Sequence, residues 1–287
     1  MKGIILAGGL GTRLYPATRA VSKCLLPIYD RPMIFFPLST LMQAGLKDIL
    51  IITNDRDHES FIELFGDGSY LGINIKYAIQ DVPRGIPDAF LIGEDFINKE
   101  PVILILGDNI FHCRSVEKIL HNAITENDGA TIFGINVPDP ERFGVIDYDE
   151  NFNVISIEEK PKVPKSNTAA VGLYIYDGNV SDYVKTLAQS ERGELEVTDL
   201  NNIYLKKGRL KAKQLDNDAI WFDAGTHESL LSASVFVHNL EEVQEKISCP
   251  EKIALEKGYI TSDELEKILC DKKSSYYARI RCECGIR

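Results

Sequence analysis

Short apolar runs alternate with amphipathic stretches through the first half of the chain. The apolar runs are rich in Ile, Leu and Val and are bounded by turn residues, which predicts buried strands at residues 3–6, 48–53, 73–79, 102–106 and 130–136. Apolar positions at helical spacing lie between them and predict helices at residues 35–44, 58–65, 86–97 and 115–126. Strands separated by helices favour βαβ units, so we predict a mostly parallel sheet with helices on both faces.

The second half of the chain changes character. Closely spaced strand-like segments at residues 144–148, 154–158 and 170–176 predict antiparallel additions to the sheet, and further strands follow at 210–215 and 220–222. Helical patterns occupy residues 180–188, 197–207, 227–240, 249–256 and 262–269. We therefore predict an α/β catalytic domain over residues 1–240 and a helical C-terminal extension over residues 241–287 that packs on it.

Composition and charge narrow the classes of function. The 287 residues carry a formal net charge of -11 and are 44% hydrophobic, as in a globular protein with a sizeable core. This acidic balance argues against a nucleic-acid or anionic-membrane partner, and no apolar run approaches the roughly 20 residues that span a bilayer. The six cysteines are scattered, and we interpret Cys282-x-Cys284 as free thiols of a cytoplasmic protein.

A glycine-rich loop follows the first predicted strand, in Leu6-Ala-Gly-Gly-Leu-Gly-Thr-Arg-Leu14. Glycine allows backbone N–H groups to approach a phosphate closely, while Thr12 adds a hydroxyl and Arg13 a cation. The loop is neither the dinucleotide fingerprint nor a Walker loop, because Leu14 replaces a third glycine and no Gly-Lys-Ser/Thr follows. Together with the segments downstream, it predicts a triphosphate cradle at the end of the strand.

Four further segments place charged groups after predicted elements. Lys23 follows the glycine loop, Asp108 ends the most apolar strand, and Asp223 follows a later strand. Glu159 and Lys160 end another strand, where they suit a sugar hydroxyl and a monophosphate. Read alone, each segment has an ordinary explanation: a solvated surface lysine, a capping turn, a charged strand end and a helix N-cap.

The order and spacing of these motifs resemble the sugar nucleotidyltransferase (nucleoside-diphosphate-sugar pyrophosphorylase) family, in particular its glucose-1-phosphate thymidylyltransferases. The chain begins with GIILAGGLGTRL and SKCLLPIYD. Further similar motifs follow as PMIFFPLSTLMQAG, LFGDGS, LGDNIF, DPERFGV, EEKPKVPKSN, RGELEVTD and WFDAGTHESL. The similarity covers residues 1 to about 260. It implies a Rossmann-like sheet, a homotetramer, Mg²⁺ as cofactor, and dTTP and glucose 1-phosphate as substrates for dTDP-glucose in deoxysugar (rhamnose) synthesis.

The resemblance also implies a role for each matching residue. The expected catalytic cations are Arg13, Lys23 and Lys160. The expected nucleotide-binding residues are Gly8, Gly11, Thr12, Arg13, Gln80 and Gly85. The expected sugar-phosphate-binding residues are Asn109, Gly144, Glu159, Lys160 and Gly172. The expected Mg²⁺ ligands are Asp108 and Asp223.

Departures from the family pattern leave the choice of nucleotide open. Cys24 stands where the thymidylyltransferases usually have Gln, and Pro87-Asp88 lies in the segment expected beside the base. The same chemistry with UTP or with another sugar 1-phosphate therefore remains an alternative. A non-catalytic sugar-nucleotide-binding protein is a second alternative. Against it, the chain has all of Arg13, Lys23, Asp108, Lys160 and Asp223.

Overall fold

The computed structural model describes residues 1–151, 153–216, 218–244 and 246–286, and these form thirteen strands and eleven α-helices. The strands are β1 Lys2–Ala7, β2 Pro27–Ile28, β3 Arg31–Pro32, β4 Asp48–Thr53, β5 Asn74–Ile79, β6 Val102–Leu106, β7 Asn109–His112, β8 Ala130–Asn136, β9 Gly144–Tyr148, β10 Val154–Glu159, β11 Thr168–Tyr176, β12 Leu210–Gln214 and β13 Ile220–Asp223. The helices are α1 Phe35–Gln43, α2 His58–Phe65, α3 Asp88–Ile92, α4 Glu94–Ile97, α5 Val116–Glu126, α6 Val180–Val184, α7 Val197–Lys206, α8 His227–Val243, α9 Pro250–Glu256, α10 Ser262–Leu269 and α11 Ser275–Cys284.

The centre of the fold is a parallel set of four strands in the order β6-β1-β4-β5. Ile5 of β1 lies opposite Ile51 of β4 and Ile105 of β6. Successive side chains of a strand point to opposite faces, and neighbouring Ile4 and Ile5 are both fully buried. The continuous apolar runs thus reflect burial on both faces, as predicted.

Antiparallel strands extend this sheet on its β6 side. Strand β11 runs antiparallel to β6 and pairs in turn with β8 and β9, while β12 lies parallel to β8. The close spacing of β9, β10 and β11 in the sequence predicts these additions. The sequence of β8 resembles those of the parallel strands, but β8 pairs antiparallel with β11. The sequence does not reveal this direction, because a buried strand has the same composition whether its partner is parallel or antiparallel.

Helices cover both faces of the sheet. Helices α1, α2 and α5 pack on one face, and α3, α4, α6 and α7 pack on the other. Helices α9, α10 and α11 join the α1 face, where Tyr276 lies edge-on to Phe35 with ring centroids 6.2 Å apart. The predicted α/β architecture and the helical C-terminal extension are confirmed.

Three local differences from the sequence-based elements have simple causes. The helix predicted at residues 86–97 is two helices that meet at Gly93, where the chain passes so close to the sheet that a Cβ would lie 3.1 Å from Leu50 Cδ2 and 3.3 Å from Ile4 Cδ1. Strand β7 begins at Asn109, where the sequence indicated only a turn, because it is completed by pairing with the distant β13. Helix α11, which carries Cys282 and Cys284, lies beyond the last predicted element.

A buried charge network, here called the C-terminal junction, ties the β2–β3 hairpin to the C-terminal helices. It consists of Asp30, Arg31, Glu241, Lys246 and Glu283. The Arg31 guanidinium pairs with Glu241 at 2.5 Å, and Lys246 pairs with Glu241 at 2.9 Å and with Asp30. Glu283 of α11 accepts a hydrogen bond from the Lys246 backbone N–H at 3.0 Å. Because Asp30 and Arg31 come shortly after Lys23, the junction anchors the segment that leaves the glycine loop.

In the part of the chain that the structure describes, none of the helices has both the length and the apolar character needed to cross a bilayer.

Candidate active site

A cavity of about 430 Å³ opens where the parallel strands end. Strands β1, β5 and β6 stop at Ala7, Ile79 and Leu106, and the residues just after each of them reach the cavity. Carboxyl ends of parallel strands meet at one edge of a sheet, which is where α/β proteins bind ligands. Most of the residues expected from the sequence line this cavity: Arg13, Lys23, Gln80, Gly85, Asp108, Asn109, Gly144, Glu159, Lys160, Gly172 and Asp223.

The glycine loop contributes its backbone and one cation. Gly11 has φ +64°, a left-handed conformation that favours glycine, and it opens a 3₁₀ turn that carries Thr12 and Arg13. Gly8 is buried, and an added Cβ would lie 3.0 Å from Gln80 Oε1. Arg13 lies on the cavity wall, whereas Gly8, Gly11 and Thr12 are outside the lining. Of the segment from Leu6 to Leu14, the residues at the cavity wall are Leu6, Gly9 and Arg13.

Lys23 and Asp108 form an ion pair inside the cavity. Burial would raise the pKa of Asp108, but the charge of Lys23 and hydrogen bonds from Lys23 and Asn109 outweigh it and lower that pKa. Burial would likewise lower the pKa of Lys23, and the Asp108 charge opposes it and leaves the pKa raised. Both groups are held in their ionised forms.

Asn109 connects this ion pair to the neighbouring strands. Its Nδ2 donates to Asp108 Oδ1 at 3.1 Å, and its Oδ1 accepts from Trp221 Nε1 at 2.7 Å and from the Gly172 N–H at 3.1 Å. Gly172 is packed so closely that a Cβ would come within 2.7 Å of Asn109 Oδ1. The amide that sequence reasoning assigned to the sugar phosphate thus orients Asp108 and joins β7 to β11 and β13.

Asp223 stands beside Asp108 because β7 and β13 pair Asn109 with Asp223. Burial, and then the charge of Asp108, raise the pKa of Asp223. The Asp223 carboxylate and the Arg13 guanidinium both lie beside Gly225, since a Cβ added there would be 3.0 Å from Asp223 Oδ1 and 3.0 Å from Arg13 Nη2. Two carboxylates whose charges repel each other form a donor set that suits a hard divalent cation.

One side of the cavity holds a fixed amide. Gln80 Nε2 donates to Asp88 Oδ2 at 2.9 Å, and Asp88 also accepts from Arg84 Nε at 3.3 Å. A carboxylate cannot donate, so Asp88 fixes which end of the Gln80 amide is the nitrogen. Gly85 has φ +102°, and a Cβ there would lie 2.1 Å from the Leu195 carbonyl oxygen, so the chain requires glycine.

Another part of the cavity wall holds a carboxylate with hydroxyl and cationic neighbours. Glu159 accepts from Thr198 Oγ1 at 2.6 Å and lies 3.3 Å from Lys160 Nζ and 3.9 Å from Arg192 Nη2. Gly144 is adjacent, since an added Cβ there would lie 3.6 Å from Glu159 Oε2. Lys160 is largely exposed at the mouth and has φ +43°, an uncommon conformation for a lysine.

Cys24 does not reach the cavity. Its side chain is fully buried, and its sulfur lies 2.8 Å from the position that a Cβ on Gly107 would take. Burial raises the pKa of the Cys24 thiol to about 12. The departure from the family pattern therefore changes the packing beneath the site.

Sequence reasoning missed several residues of the cavity wall. The most informative are Arg142, Tyr174, Thr198, Asn201 and Trp221. Arg142, Thr198 and Trp221 all lie within motifs quoted for the family resemblance, so motif membership was an available signal. Tyr174 and Asn201 read as core positions of a strand and a helix, and only the fold brings them to the cavity.

Comparison with known proteins shows the family to which the chain belongs. The nucleotidyl transferase family model matches residues 2–239. A glucose-1-phosphate thymidylyltransferase of Neisseria meningitidis serogroup A is 50% identical over 97% of both chains, and one of Mycolicibacterium smegmatis is 47% identical over 92% of both. A solved structure from Bacillus anthracis, assigned to the same activity, superposes with a TM-score of 0.77 at 41% identity and covers 86% of this chain and 98% of that one. The chain belongs to the nucleotidyl transferase family, within its glucose-1-phosphate thymidylyltransferases.

Proposed function

We propose that the protein transfers a thymidylyl group from dTTP to glucose 1-phosphate, giving dTDP-glucose and pyrophosphate. The observation that carries this proposal is the arrangement of one cavity. The cavity is lined by Arg13 and Lys23, by Asp108 and Asp223, and by the oriented amide of Gln80 and the carboxylate of Glu159. The relatives named above are enzymes of this activity.

The charges of the two substrates decide what the protein must supply. A phosphate oxygen of glucose 1-phosphate attacks the α-phosphorus of the triphosphate, and pyrophosphate leaves with the bonding electrons. Both partners are anions, so the reaction requires positive charge and alignment. The sugar phosphate is largely ionised at neutral pH, since its second pKa is about 6, and it needs no general base. Arg13, Lys23 and Lys160 supply cations around the cavity of an acidic protein.

The paired carboxylates fit Mg²⁺ as the cofactor. Asp108 and Asp223 lie side by side and offer oxygen ligands, the type that Mg²⁺ prefers. When bound, Mg²⁺ would neutralise phosphate charge at the transferring group. Lys23 keeps the pKa of Asp108 low, so that carboxylate is ionised and able to serve as a ligand.

The Gln80 amide favours thymine or uracil over cytosine. Its Nε2 is engaged by Asp88, which leaves Oε1 as the acceptor that faces the glycine loop. Thymine and uracil carry an N–H donor at N3, whereas cytosine carries an acceptor there. A carbonyl oxygen can pair with the former and not with the latter.

The sugar side suits a hydroxylated phosphate ester. The Thr198 hydroxyl donates to Glu159 Oε2 and so orients the carboxylate. The other carboxylate oxygen, Glu159 Oε1, lies near Lys160 and Arg192. A carboxylate accepts hydrogen bonds from sugar hydroxyls, and Lys160 at the mouth can pair with the phosphate.

The test is a panel of dTTP, UTP, CTP and GTP with glucose 1-phosphate and Mg²⁺, followed by pyrophosphate release. We expect the highest kcat/KM with dTTP, lower values with UTP, and little turnover with CTP or GTP. Equal turnover with CTP would overturn the thymidylyl assignment, and a preference for UTP would select the alternative nucleotide. No turnover with any triphosphate would favour the non-catalytic alternative. Replacing glucose 1-phosphate with other sugar 1-phosphates tests the acceptor in the same way.

Three further properties are proposed from the family resemblance alone. These are a homotetrameric assembly, a cytoplasmic location and a product destined for deoxysugar synthesis. Size-exclusion chromatography with light scattering tests the tetramer.

A further inference from the structure

Arg142 is a cation of the cavity wall that the roles implied by the family resemblance leave unassigned. It ends the 3₁₀ turn Pro140–Arg142, two residues before β9 begins, and it lines the same cavity as Arg13 and Asp223. Its side chain is 51% exposed, and the one ion pair found for it within the described ranges is with Asp139, three residues earlier, at 2.6 Å. An exposed pair of this kind contributes little energy, so the guanidinium is available to a ligand.

The backbone that carries Arg142 is firmly placed. The next residue, Phe143, packs edge-on against Trp221 with ring centroids 5.1 Å apart. Trp221 in turn donates to Asn109, which orients Asp108. The turn is therefore attached to the strand pair that carries both carboxylates, and the Arg142 guanidinium lies 5.4 Å from the centroid of the Phe143 ring.

The neighbours of Arg142 place it on one side of the cavity. Asp223 is among the carboxylates whose charge raises the pKa of Arg142, after the hydrogen bond to Asp139 and against desolvation. Arg13 also acts on Asp223 and meets it beside Gly225. Lys160 and Arg192 lie against Glu159 on the sugar side. The backbone after Arg142 borders that side too, since the Phe143 carbonyl accepts a hydrogen bond from the Lys160 N–H at 3.0 Å. The charge of Arg142 acts on Asp223, and it therefore groups with Arg13 and the carboxylates.

We propose that Arg142 binds the pyrophosphate group, as the β- and γ-phosphates of the bound triphosphate and as the leaving group. Its planar fork matches two phosphate oxygens. The contact replaces the exposed pair with Asp139, and Arg13 holds the same anion from the glycine loop. This inference rests on the proposed function and adds a residue to it.

The reverse reaction isolates this contact, because pyrophosphate is then a separate substrate. With dTDP-glucose and pyrophosphate, formation of dTTP is followed for the wild type, Arg142→Ala and Arg142→Lys. We expect Arg142→Ala to raise the KM for pyrophosphate by about 10-fold or more, as for a lost charge-assisted hydrogen bond, with the KM for dTDP-glucose changed less than about 2-fold. Arg142→Lys keeps the charge without the fork, and we expect an intermediate KM.

The adjacent exposed acid provides a matched control. Glu141→Gln changes one charge in the same turn without removing a cavity cation, and we expect its KM for pyrophosphate to stay within about 2-fold of the wild type. Calorimetric titration of pyrophosphate into each variant gives a second readout that does not depend on turnover. Thermal unfolding shows whether each variant is folded.

The outcomes separate this inference from the proposed function. An active wild type with an unchanged pyrophosphate KM in Arg142→Ala overturns the assignment of Arg142 alone. A rise confined to the KM for dTDP-glucose overturns it too, since Arg142 would then belong to the nucleotide-sugar side. A wild type that neither makes nor consumes dTDP-glucose overturns the proposed function and the inference with it.

Discussion

The active-site cavity and the C-terminal junction are both clusters of charged side chains, but they are paired differently. In the junction, the fully buried Arg31 and Glu241 pair with each other, and Lys246 adds bonds to Glu241 and Asp30. In the cavity, Lys23 is paired with Asp108, while Arg13 makes no ion pair among the described residues and Asp223 lies against a second carboxylate. The junction satisfies its charges internally, whereas the cavity leaves charges for a ligand to satisfy.

This difference indicates which cluster acts on substrates and which holds the fold. A paired, buried network has a large cost when one member is removed, because its partner is left without solvent or counter-charge. A partly unpaired cluster loses little stability on substitution but loses its interactions with bound anions. Substitutions in the two regions should therefore separate stability from activity.

The largest effect is expected at the junction. Arg31→Met leaves Glu241 buried without its main partner, and we expect the free energy of unfolding to fall by about 3–5 kcal/mol. Urea denaturation measures the change, and Lys185→Met, which removes an exposed pair with Glu94, is the control with a much smaller expected loss. Equal losses in the two variants would show that the buried junction stabilises the fold no more than an exposed ion pair does.

In the cavity we expect lost activity with retained stability. Arg13→Ala and Asp223→Asn should each lower turnover by about 100-fold or more, because each removes a preorganised charge from the site of transfer. Pyrophosphate release measures the rate, and thermal unfolding should stay close to that of the wild type. Wild-type rates in both variants would contradict the catalytic assignment.

A smaller, pH-dependent effect is expected from Glu251, a buried acid near the junction. Burial raises its pKa above the ordinary 4.5, and Tyr276 donates a hydrogen bond to it at 2.9 Å. As the pH rises above 4.5, the unfolded chain loses this proton before the native one, so stability falls with pH until the native pKa is reached. The slope is at most about 1.4 kcal/mol per pH unit.

Glu251→Gln keeps an acceptor for Tyr276 and removes this titration. We expect the stability of the wild type relative to Glu251→Gln to decline as the pH rises above 4.5, as measured by urea denaturation at each pH. A difference that stays constant above pH 4.5 would show that burial does not raise the pKa of Glu251.

The sequence predicted most of the sheet, because apolar runs of this length have few alternatives to buried strands. It could not predict that β8 pairs with an antiparallel strand, or that β7 exists, since both depend on partners distant in the chain. Motif spacing indicated that Lys23 and Asp108 share a site, but not that they pair directly. The sequence likewise could not show that the Asn109 amide also orients Asp108, because that contact depends on the fold.

Cys24 gives the protein an internal probe of its own opening. The thiol is enclosed against Gly107 at the end of β6, and its raised pKa leaves almost no thiolate at neutral pH. Alkylating reagents require an accessible thiolate, so this sulfur is protected as long as the strand ends stay together. Cys270 and Cys282 are exposed and provide unprotected thiols for comparison in the same molecule. The rate at which Cys24 becomes labelled, measured by mass spectrometry, would therefore report how often the packing between Cys24 and the end of β6 opens to solvent.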